Sequence, residues 1–288
     1  MKVIANPCAG FGRGRSCIRK LRRRASELGL EVIETTGPGH ATELARKLIR
    51  TGPRRLGVMG GDGTISEVVN SMAGSQTELA ILSVGTGNDI ARSLKLPYND
   101  LKASLRVAQG GQVKKIDVGA AGDRHFVSVL GVGFPAQVAV ESNRLKWLKG
   151  HLSFAVAIYK ALWEMEPIPL EIEFDDLSLS LDCTSVLVLN TPFTGGGLRL
   201  APEARLDDGL FDIVVIDAIG KLNLMGSLPR VYRGSHLDHP NFSLFRSSWV
   251  RIHSAVPTGK MFDGDVCGET PVEARVLPAA LKVVHPIE

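Results

Sequence analysis

Three glycine-rich turns, each lying between an apolar segment and an amphipathic one, constrain the fold of this chain more than any other feature. The turns occupy residues 6–14, 60–64 and 85–89, and each follows a short run of apolar residues. Strands that lead through glycine turns into helices at this spacing are typical of parallel βαβ units. Ligands of such sheets bind at the carboxyl ends of the strands, so these turns are the expected binding site.

The pattern of the sequence changes near residue 115. Before this point strands and helices alternate. After it the segments are short and alternate in polarity, apart from one predicted helical stretch over 138–166. Short alternating segments are typical of an antiparallel sheet or sandwich. We therefore predict an α/β domain with glycine-rich loops over residues 1–117 and an antiparallel β-sandwich domain over 118–275, with the tail 276–288 returning to the first domain.

The turn at 60–64 combines glycines with an acid, as Gly60-Gly61-Asp62-Gly63-Thr64. Glycines let backbone N–H groups approach an anion closely, and the helix that follows directs its positive N terminus to the same place. This geometry suits a polyphosphate. Because a carboxylate repels phosphate, Asp62 indicates a nearby Mg²⁺ ion. The structural alternative is a tight turn with an N-capping aspartate.

The other two turns offer similar chemistry. In the turn at 85–89, Gly85 is followed by Thr86 and Asn88, whose side chains can donate hydrogen bonds to phosphate or to a base. In the turn at 6–14, Asn6 and Gly10 precede a basic helix. This turn is not a Walker A loop, because no Gly-Lys-Ser/Thr follows it.

Two acidic segments stand out in the second half of the chain. Asp207-Asp208-Gly209 is suited to hold a divalent ion through carboxylate and carbonyl oxygens. In Asp263-Gly264-Asp265, two carboxylates flank a glycine and are suited to a general base and a metal ligand. Each segment on its own is also compatible with a simple hairpin turn.

Taken together, these segments resemble the diacylglycerol kinase catalytic family, in its bacterial lipid kinase branch. They occur in order: Asn6-Pro7 with Gly10, GGDGT at 60–64 with Glu67, GTGND at 85–89, GGG at 195–197, DDG at 207–209 and DGD at 263–265. GGDGT alone is shared with NAD kinases and phosphofructokinases. The combination is more specific, and the resemblance covers nearly the whole chain.

The resemblance implies an ATP- and Mg²⁺-dependent kinase that phosphorylates a lipid alcohol. It implies that the N-terminal domain binds ATP in a cleft and that the C-terminal sandwich accepts the lipid. Thr35 matches a further nucleotide contact, with Thr36 as a competing alignment. The implied cofactor-binding residues are Asn6, Gly10, Thr35, Gly60, Gly61, Asp62, Gly63, Thr64, Glu67, Gly85, Thr86 and Asn88.

The resemblance also assigns metal and catalytic residues. Magnesium is expected at the carbonyl oxygens of Arg205 and Leu210 and at the carboxylate of Asp208. The expected catalytic residues are Asp263, Asp265 and Asp62. The family motif usually ends in glutamate where this chain has Asp265, so the choice of general base between Asp263 and Asp265 stays open.

Composition bears on the competing functions. No run of about 18 apolar residues is present. The four cysteines form no CxxC pair, which favours a reduced, cytoplasmic protein. Peripheral contact with the inner membrane surface is expected, with Trp147 and Trp163 as candidates for interfacial contact. A homodimer is one compatible state.

The alternatives to a lipid kinase are an NAD kinase-like enzyme, a non-catalytic nucleotide or lipid binder and, from the basic first helix, a nucleic-acid binder. We expect no nucleic-acid partner, because basic and aromatic residues are not interleaved. The acceptor lipid cannot be read from the sequence.

Overall fold

The computed structural model describes residues 1–145 and 151–287 and divides into two compact units. The first unit comprises Met1–Val118 and Pro278–Glu288, and the second comprises Gly119–Leu277. Two strands cross the unit boundary, β5 (Gln112–Ala121) and β15 (Val272–His285).

The first unit alternates strands and helices. Its other strands are β1 (Lys2–Ala5), β2 (Glu31–Glu34), β3 (Arg55–Gly60) and β4 (Glu78–Ser83). Its helices are α1 (Arg13–Arg23), α2 (His40–Ile49), α3 (Asp62–Met72), α4 (Asp89–Ser93) and α5 (Leu101–Gly110). A short 3₁₀ turn, Ala9–Gly12, leads into α1.

The strands of the first unit form a parallel sheet in the order β2-β1-β3-β4, and residues 282–283 of β15 add a further parallel pairing to β4. The chain reverses direction across the sheet between β1 and β3, because β2 lies on one side of β1 and β3 on the other. Such a switch point is where open α/β sheets bind ligands. The glycine turns follow β1, β3 and β4, which are adjacent strands.

Two helices of the first unit differ from the sequence prediction. Helix α1 begins at Arg13 and ends at Arg23, whereas the sequence pattern predicts a helix from about Ser16 to Leu28. Tight turns close it, since the N–H of Arg24 bonds to the carbonyl of Leu21 and the N–H of Ala25 to that of Arg22. The sequence prediction also missed α5, which is capped by the side chain of Asp100 accepting from Ala103 N–H.

The second unit is mainly antiparallel. Its strands are β6 (Arg124–Phe126), β7 (Val129–Gly133), β8 (Ile168–Glu173), β9 (Ser178–Leu189), β10 (Phe211–Asp217), β11 (Phe242–Ser247), β12 (Trp249–Ser254), β13 (Gly259–Phe262) and β14 (Asp265–Glu269). Its helices are α6 (Phe134–Arg144), α7 (His151–Glu164) and α8 (Lys221–Arg233), with a short 3₁₀ turn at His236–Asp238.

The central strands of the second unit are buried on both faces. On one face, Val186 and Val188 of β9 pack with Leu170 and Ile172 of β8, in the interior of a sandwich. On the other face, Leu187 packs in a cluster with residues of α6, α7 and α8. This explains why β9 and β10 read as continuous apolar runs. The parallel first unit and the antiparallel second unit confirm the predicted fold class.

The predicted helical stretch over 138–166 is instead two helices, α6 and α7, and Trp147 lies outside the described residues. Helix α8 was not predicted. Among the residues that the structure describes, no helix is long and apolar enough to cross a membrane.

Candidate active site

The three glycine turns contact one another at the carboxyl ends of β1, β3 and β4. A Cβ atom on Gly85 would lie 2.5 Å from the Cα of Gly61, and one on Gly10 would lie 2.2 Å from the carbonyl oxygen of Val84. Separations this short are steric overlaps, so glycine is required where neighbouring backbones touch. The result is a surface built largely from backbone, whose N–H groups suit a polyphosphate.

Replacing Gly85 with alanine is expected to force the second and third turns apart, because the added methyl group would meet backbone rather than a movable side chain. We expect the KM for ATP to rise and the protein to lose about 1–3 kcal/mol of stability, as for other overpacked sites. Steady-state kinetics and the urea unfolding midpoint measure these two effects.

The matched control is Gly110→Ala, because a Cβ at Gly110 meets nothing within 4 Å. It should leave both quantities near their native values. An unchanged KM and midpoint in Gly85→Ala would show that the two turns need not touch.

The carboxylate of Asp62 links the second turn to the third. Its Oδ1 accepts a hydrogen bond of 3.0 Å from the N–H of Ile90, and the N–H groups of Asn88 and Asp89 also stabilise the carboxylate. Burial raises the pKa of Asp62, and these N–H groups oppose that shift. Asp62 therefore holds the two turns together at the N terminus of α4, while its contact with a metal or nucleotide stays a prediction.

The side chain of Asn88 bonds within its own turn, and its contact with the cofactor stays a prediction. It is fully buried, and its Oδ1 accepts from Ser83 Oγ at 2.6 Å and from Gly85 N–H at 2.8 Å. Its Nδ2 donates to the carbonyl oxygen of Gly85 at 3.0 Å. The side chain thus stabilises the left-handed backbone of the third turn, and Thr86 is the exposed polar side chain of that turn.

Asn6 joins the first turn to the second. Its Nδ2 donates to Thr64 Oγ1 at 2.8 Å, and its Oδ1 accepts from Cys8 N–H at 2.8 Å. Thr64 is buried, whereas Gly63 is exposed. Asn6 and Thr64 therefore fix the turns, and the exposed backbone at Gly63 is left for a ligand.

Glu67 holds the start of α2. Its Oε2 accepts from Ala41 N–H at 3.1 Å, and Thr42 Oγ1 donates to the Glu67 carbonyl at 2.9 Å. This contact positions the segment between β2 and α2, in which Thr35 is buried and Thr36 is exposed. The two competing alignments place a nucleotide contact at Thr35 or at Thr36. The exposed hydroxyl is that of Thr36, and its Oγ1 lies 3.0 Å from His40 Nδ1.

In the second unit, the two acids of the DGD motif have different surroundings. The carboxylate of Asp263 accepts three backbone N–H bonds, from Val127 at 2.9 Å, Ser128 at 2.8 Å and Val129 at 3.0 Å. Asp265 is exposed at the start of β14, and no described residue holds its carboxylate by a hydrogen bond or an ion pair. Asp263 is thus held by the backbone at 127–129 and Asp265 is exposed, while the choice of general base between them stays a prediction.

The acidic turn at 205–210 carries more negative charge than sequence reasoning identified. The Asp208 carboxylate accepts from Leu210 N–H at 3.2 Å and pairs with Arg246, whose Nε lies 3.5 Å from Asp212 Oδ1. Asp212 Oδ2 is buried and has no hydrogen-bond partner among the residues that the structure describes. Burial raises the pKa of Asp212 to about 6, and the positive charge of Arg246 opposes this shift.

These donors fit a magnesium ion. They are hard carboxylate and carbonyl oxygens, and the orphaned oxygen of Asp212 indicates local negative charge that Arg246 does not fully neutralise. Within the described part of the chain, no three His, Cys, Asp or Glu side chains cluster as a metal site. A metal would therefore depend on the backbone carbonyls of Arg205 and Leu210 together with Asp208.

Sequence reasoning missed Asp212, Arg246 and the backbone donors at 127–129. For Asp212 a signal existed, since it is the one acid inside the apolar run of β10 before its last residue. For Arg246 and the donors no local pattern exists, because their partners are 38 and about 135 residues away in sequence.

Comparisons with known proteins agree along the length of the chain. The model of the diacylglycerol kinase catalytic domain matches residues 1–121, and that of the YegS C-terminal NAD kinase beta sandwich-like domain matches residues 128–285. A diacylglycerol kinase of Mycobacterium tuberculosis is 30% identical over 99% of this chain and 94% of its own length. One of Bacillus subtilis is 27% identical over 100% and 96%. The crystal structure of a diacylglycerol kinase from Bacillus anthracis has a TM-score of 0.75 at 21% identity, covering 99% of this chain and 96% of its own, and this likeness concerns the fold.

Proposed function

Because the chain belongs to the diacylglycerol kinase catalytic family, we propose that it transfers the γ-phosphate of ATP to the hydroxyl group of a lipid such as diacylglycerol. The predicted family and the predicted class, an ATP-dependent kinase, are confirmed by the matches across both units. The observation that supports the proposed chemistry is the backbone contact between Gly61 and Gly85, because it joins two glycine turns at the switch point of a parallel sheet into a surface whose N–H groups suit phosphate.

The first unit supplies binding and orientation of the nucleotide. Backbone N–H groups of the glycine turns receive the phosphates, with Asn6, Asp62 and Asn88 holding the turns in place. Thr86 is exposed and available to donate to the nucleotide. Because phosphoryl transfer depends on position and charge neutralisation, rigid turns of this kind contribute directly to the rate.

The second unit supplies the general base. Asp265 accepts the proton of the lipid hydroxyl as its oxygen attacks the γ-phosphorus, and the bond from that phosphorus to the bridging oxygen of ADP breaks. Asp263 positions the turn that carries Asp265. Arg205, Asp208 and Leu210 would hold Mg²⁺, which would neutralise negative charge next to Asp212.

A lipid acceptor implies that the enzyme contacts a membrane. A long-chain lipid stays in a bilayer, so the enzyme works by peripheral contact from the cytoplasmic side, where ATP is available.

A homodimer is one state compatible with the sequence. Size-exclusion chromatography with light scattering measures the molar mass and so tests whether the protein forms it.

The function is tested by incubating the purified chain with γ-labelled ATP, Mg²⁺ and a panel of acceptors. The panel contains diacylglycerol, monoacylglycerol, sphingosine, ceramide, phosphatidylglycerol, a polyprenyl alcohol and NAD. We expect label in a chloroform-extractable product. Label in NAD alone would replace the lipid kinase with an NAD kinase-like enzyme, and label in no acceptor would favour a non-catalytic binder.

Magnesium is expected to stabilise the native protein. A ligand that binds only the folded state at 100 times its Kd adds ~2.7 kcal/mol, which raises the Tm. Asp208→Asn should abolish most of this shift, because it removes the proposed carboxylate ligand. Asp176→Asn, an exposed acid in another turn, is the control. Equal magnesium-induced shifts in all three proteins would remove Asp208 from the metal site.

A further inference from the structure

Helix α8 exposes an apolar face. Leu224 and Val231 pack into the second unit, whereas Leu222 is 78% exposed, Met225 43% and Tyr232 53%. The spacing of 222, 225 and 232 places these three on one side of the helix. The helix contains no acidic residue, and its exposed basic residues are Lys221, Arg230 and Arg233.

Helix α7 extends this face with two aromatic side chains. Tyr159 is 59% exposed and Trp163 is 71% exposed, and their ring centroids lie 6.5 Å apart. Lys221 of α8 joins the two helices, because its Nζ lies 5.9 Å from the Trp163 ring centroid and donates to the Trp163 carbonyl. Tyr159, Trp163, Lys221, Leu222 and Met225 therefore form one continuous surface, which we call the aromatic–cationic face.

We propose that the aromatic–cationic face docks the protein on a bilayer that contains anionic phospholipid. Tryptophan and tyrosine favour the boundary between water and acyl chains, and exposed apolar side chains of a helix that are flanked by basic residues bind in the headgroup region. Lys221, Arg230 and Arg233 provide the charge that anionic headgroups attract. This inference rests on the proposed function, since a lipid acceptor lies in the membrane.

The charges of the aromatic–cationic face favour docking on a membrane over contact with a second copy of the chain. A symmetric contact between two α8 helices would bring basic residues together without acids on that helix to neutralise them. Nearby, Glu141 is already paired with Arg144 and Lys160, at 2.5 and 3.6 Å, and the exposed acids at the end of α7, Glu164 and Glu166, are fewer than the three exposed basic residues of α8. An anionic surface therefore complements the face better than a copy of itself.

The test is co-sedimentation of the full chain with vesicles of phosphatidylcholine alone or mixed with phosphatidylglycerol. The double variant Trp163→Ser/Leu222→Ser should bind the mixed vesicles ~10-fold more weakly than the native protein. Arg230→Gln/Arg233→Gln should lose the preference for the mixed vesicles. Val256→Ser, which alters another apolar side chain that is 49% exposed, and Arg106→Gln are matched controls and should bind as the native protein does.

A second readout locates the contact. With Trp147 and Trp249 replaced by phenylalanine, the fluorescence of Trp163 should be quenched by vesicles of brominated phosphatidylcholine mixed with phosphatidylglycerol. Unquenched Trp163 in a vesicle-bound protein, or native binding by the double variant, would overturn the proposal. A dimer that the double variant dissociates, with vesicle binding unchanged, would also overturn it and identify the face as a self-contact.

The two proposals fail in distinguishable ways. Turnover of a short-chain, water-soluble diacylglycerol without vesicles tests the kinase alone, and the double variant should keep native turnover there. If the native protein phosphorylates no lipid, the proposed function fails whatever the vesicles show. If it phosphorylates the short-chain lipid but the double variant binds vesicles normally, only the docking face fails.

Discussion

Asp265→Asn is expected to lower kcat by about 10²–10⁴-fold, the usual contribution of a general base. The carboxylate is exposed and held by no described hydrogen bond or ion pair, so it is free to accept the proton of the lipid hydroxyl. For the same reason its removal should leave the free energy of unfolding and the KM for ATP close to native. Steady-state kinetics with saturating lipid and a urea titration measure these quantities.

Two variants sharpen this test. Asp265→Glu keeps a carboxylate on a side chain one methylene longer, and it should retain much more activity than Asp265→Asn. Asp176→Asn removes an exposed acid from the turn between β8 and β9 and should have no effect. Native kcat in Asp265→Asn would transfer the role of base to another group.

The glycine turns could be predicted from the sequence because the backbone geometry that requires glycine is set within a few neighbouring residues. Gly60 to Thr64 must leave a strand, turn sharply and start a helix within a few residues, and few residue types other than glycine allow this. The order of the turns along the chain then indicates parallel strands, whose carboxyl ends share one edge. The fold of the first unit follows from such short-range patterns.

The role of each polar side chain in the turns was not readable. Asn88 can bond to a ligand or to its own turn, and the sequence is the same in both cases. In the structure Asn88 is buried and bonds to Ser83 and Gly85, and its burial depends on the residues packed around the turn, which no local pattern shows. The same holds for Glu67, whose partner Ala41 lies 26 residues earlier.

Helix α8 was missed because its local signals are weak. The segment contains Gly226 and Pro229, both poor helix formers. Packing of Leu224 and Val231 against the sandwich compensates for this low propensity. Tertiary contacts of this kind have no counterpart in the local sequence pattern.

Asp263→Asn is expected to produce the opposite phenotype to Asp265→Asn, namely a loss of stability. The carboxylate of Asp263 accepts from three backbone N–H groups, and the residues that donate, Val127, Ser128 and Val129, are at most 5% exposed. An asparagine has one acceptor oxygen, and its NH₂ group faces a donor. We expect a loss of ~2–4 kcal/mol, from a charge-assisted bond and a buried donor left unsatisfied.

Asparagine is the informative replacement because it tolerates the left-handed backbone of Asp263, where φ is 48°. Backbone strain is therefore not added to the lost hydrogen bonds. The urea unfolding midpoint measures the loss, and kcat per folded molecule should stay within a few-fold of native. Asp176→Asn is the control, because Asp176 is an exposed acid of a turn and no described residue holds its carboxylate by a hydrogen bond or an ion pair.

The two asparagine variants distinguish the structural role proposed for Asp263 from the catalytic role proposed for Asp265. If Asp263 is the base, its asparagine variant loses turnover while its unfolding midpoint stays native, and Asp265→Asn stays active. The three N–H donors make this outcome physically unfavourable, because both oxygens of the Asp263 carboxylate are already hydrogen-bonded to the backbone. The structure thus reduces an assignment that the sequence left open to one comparison of kcat and stability.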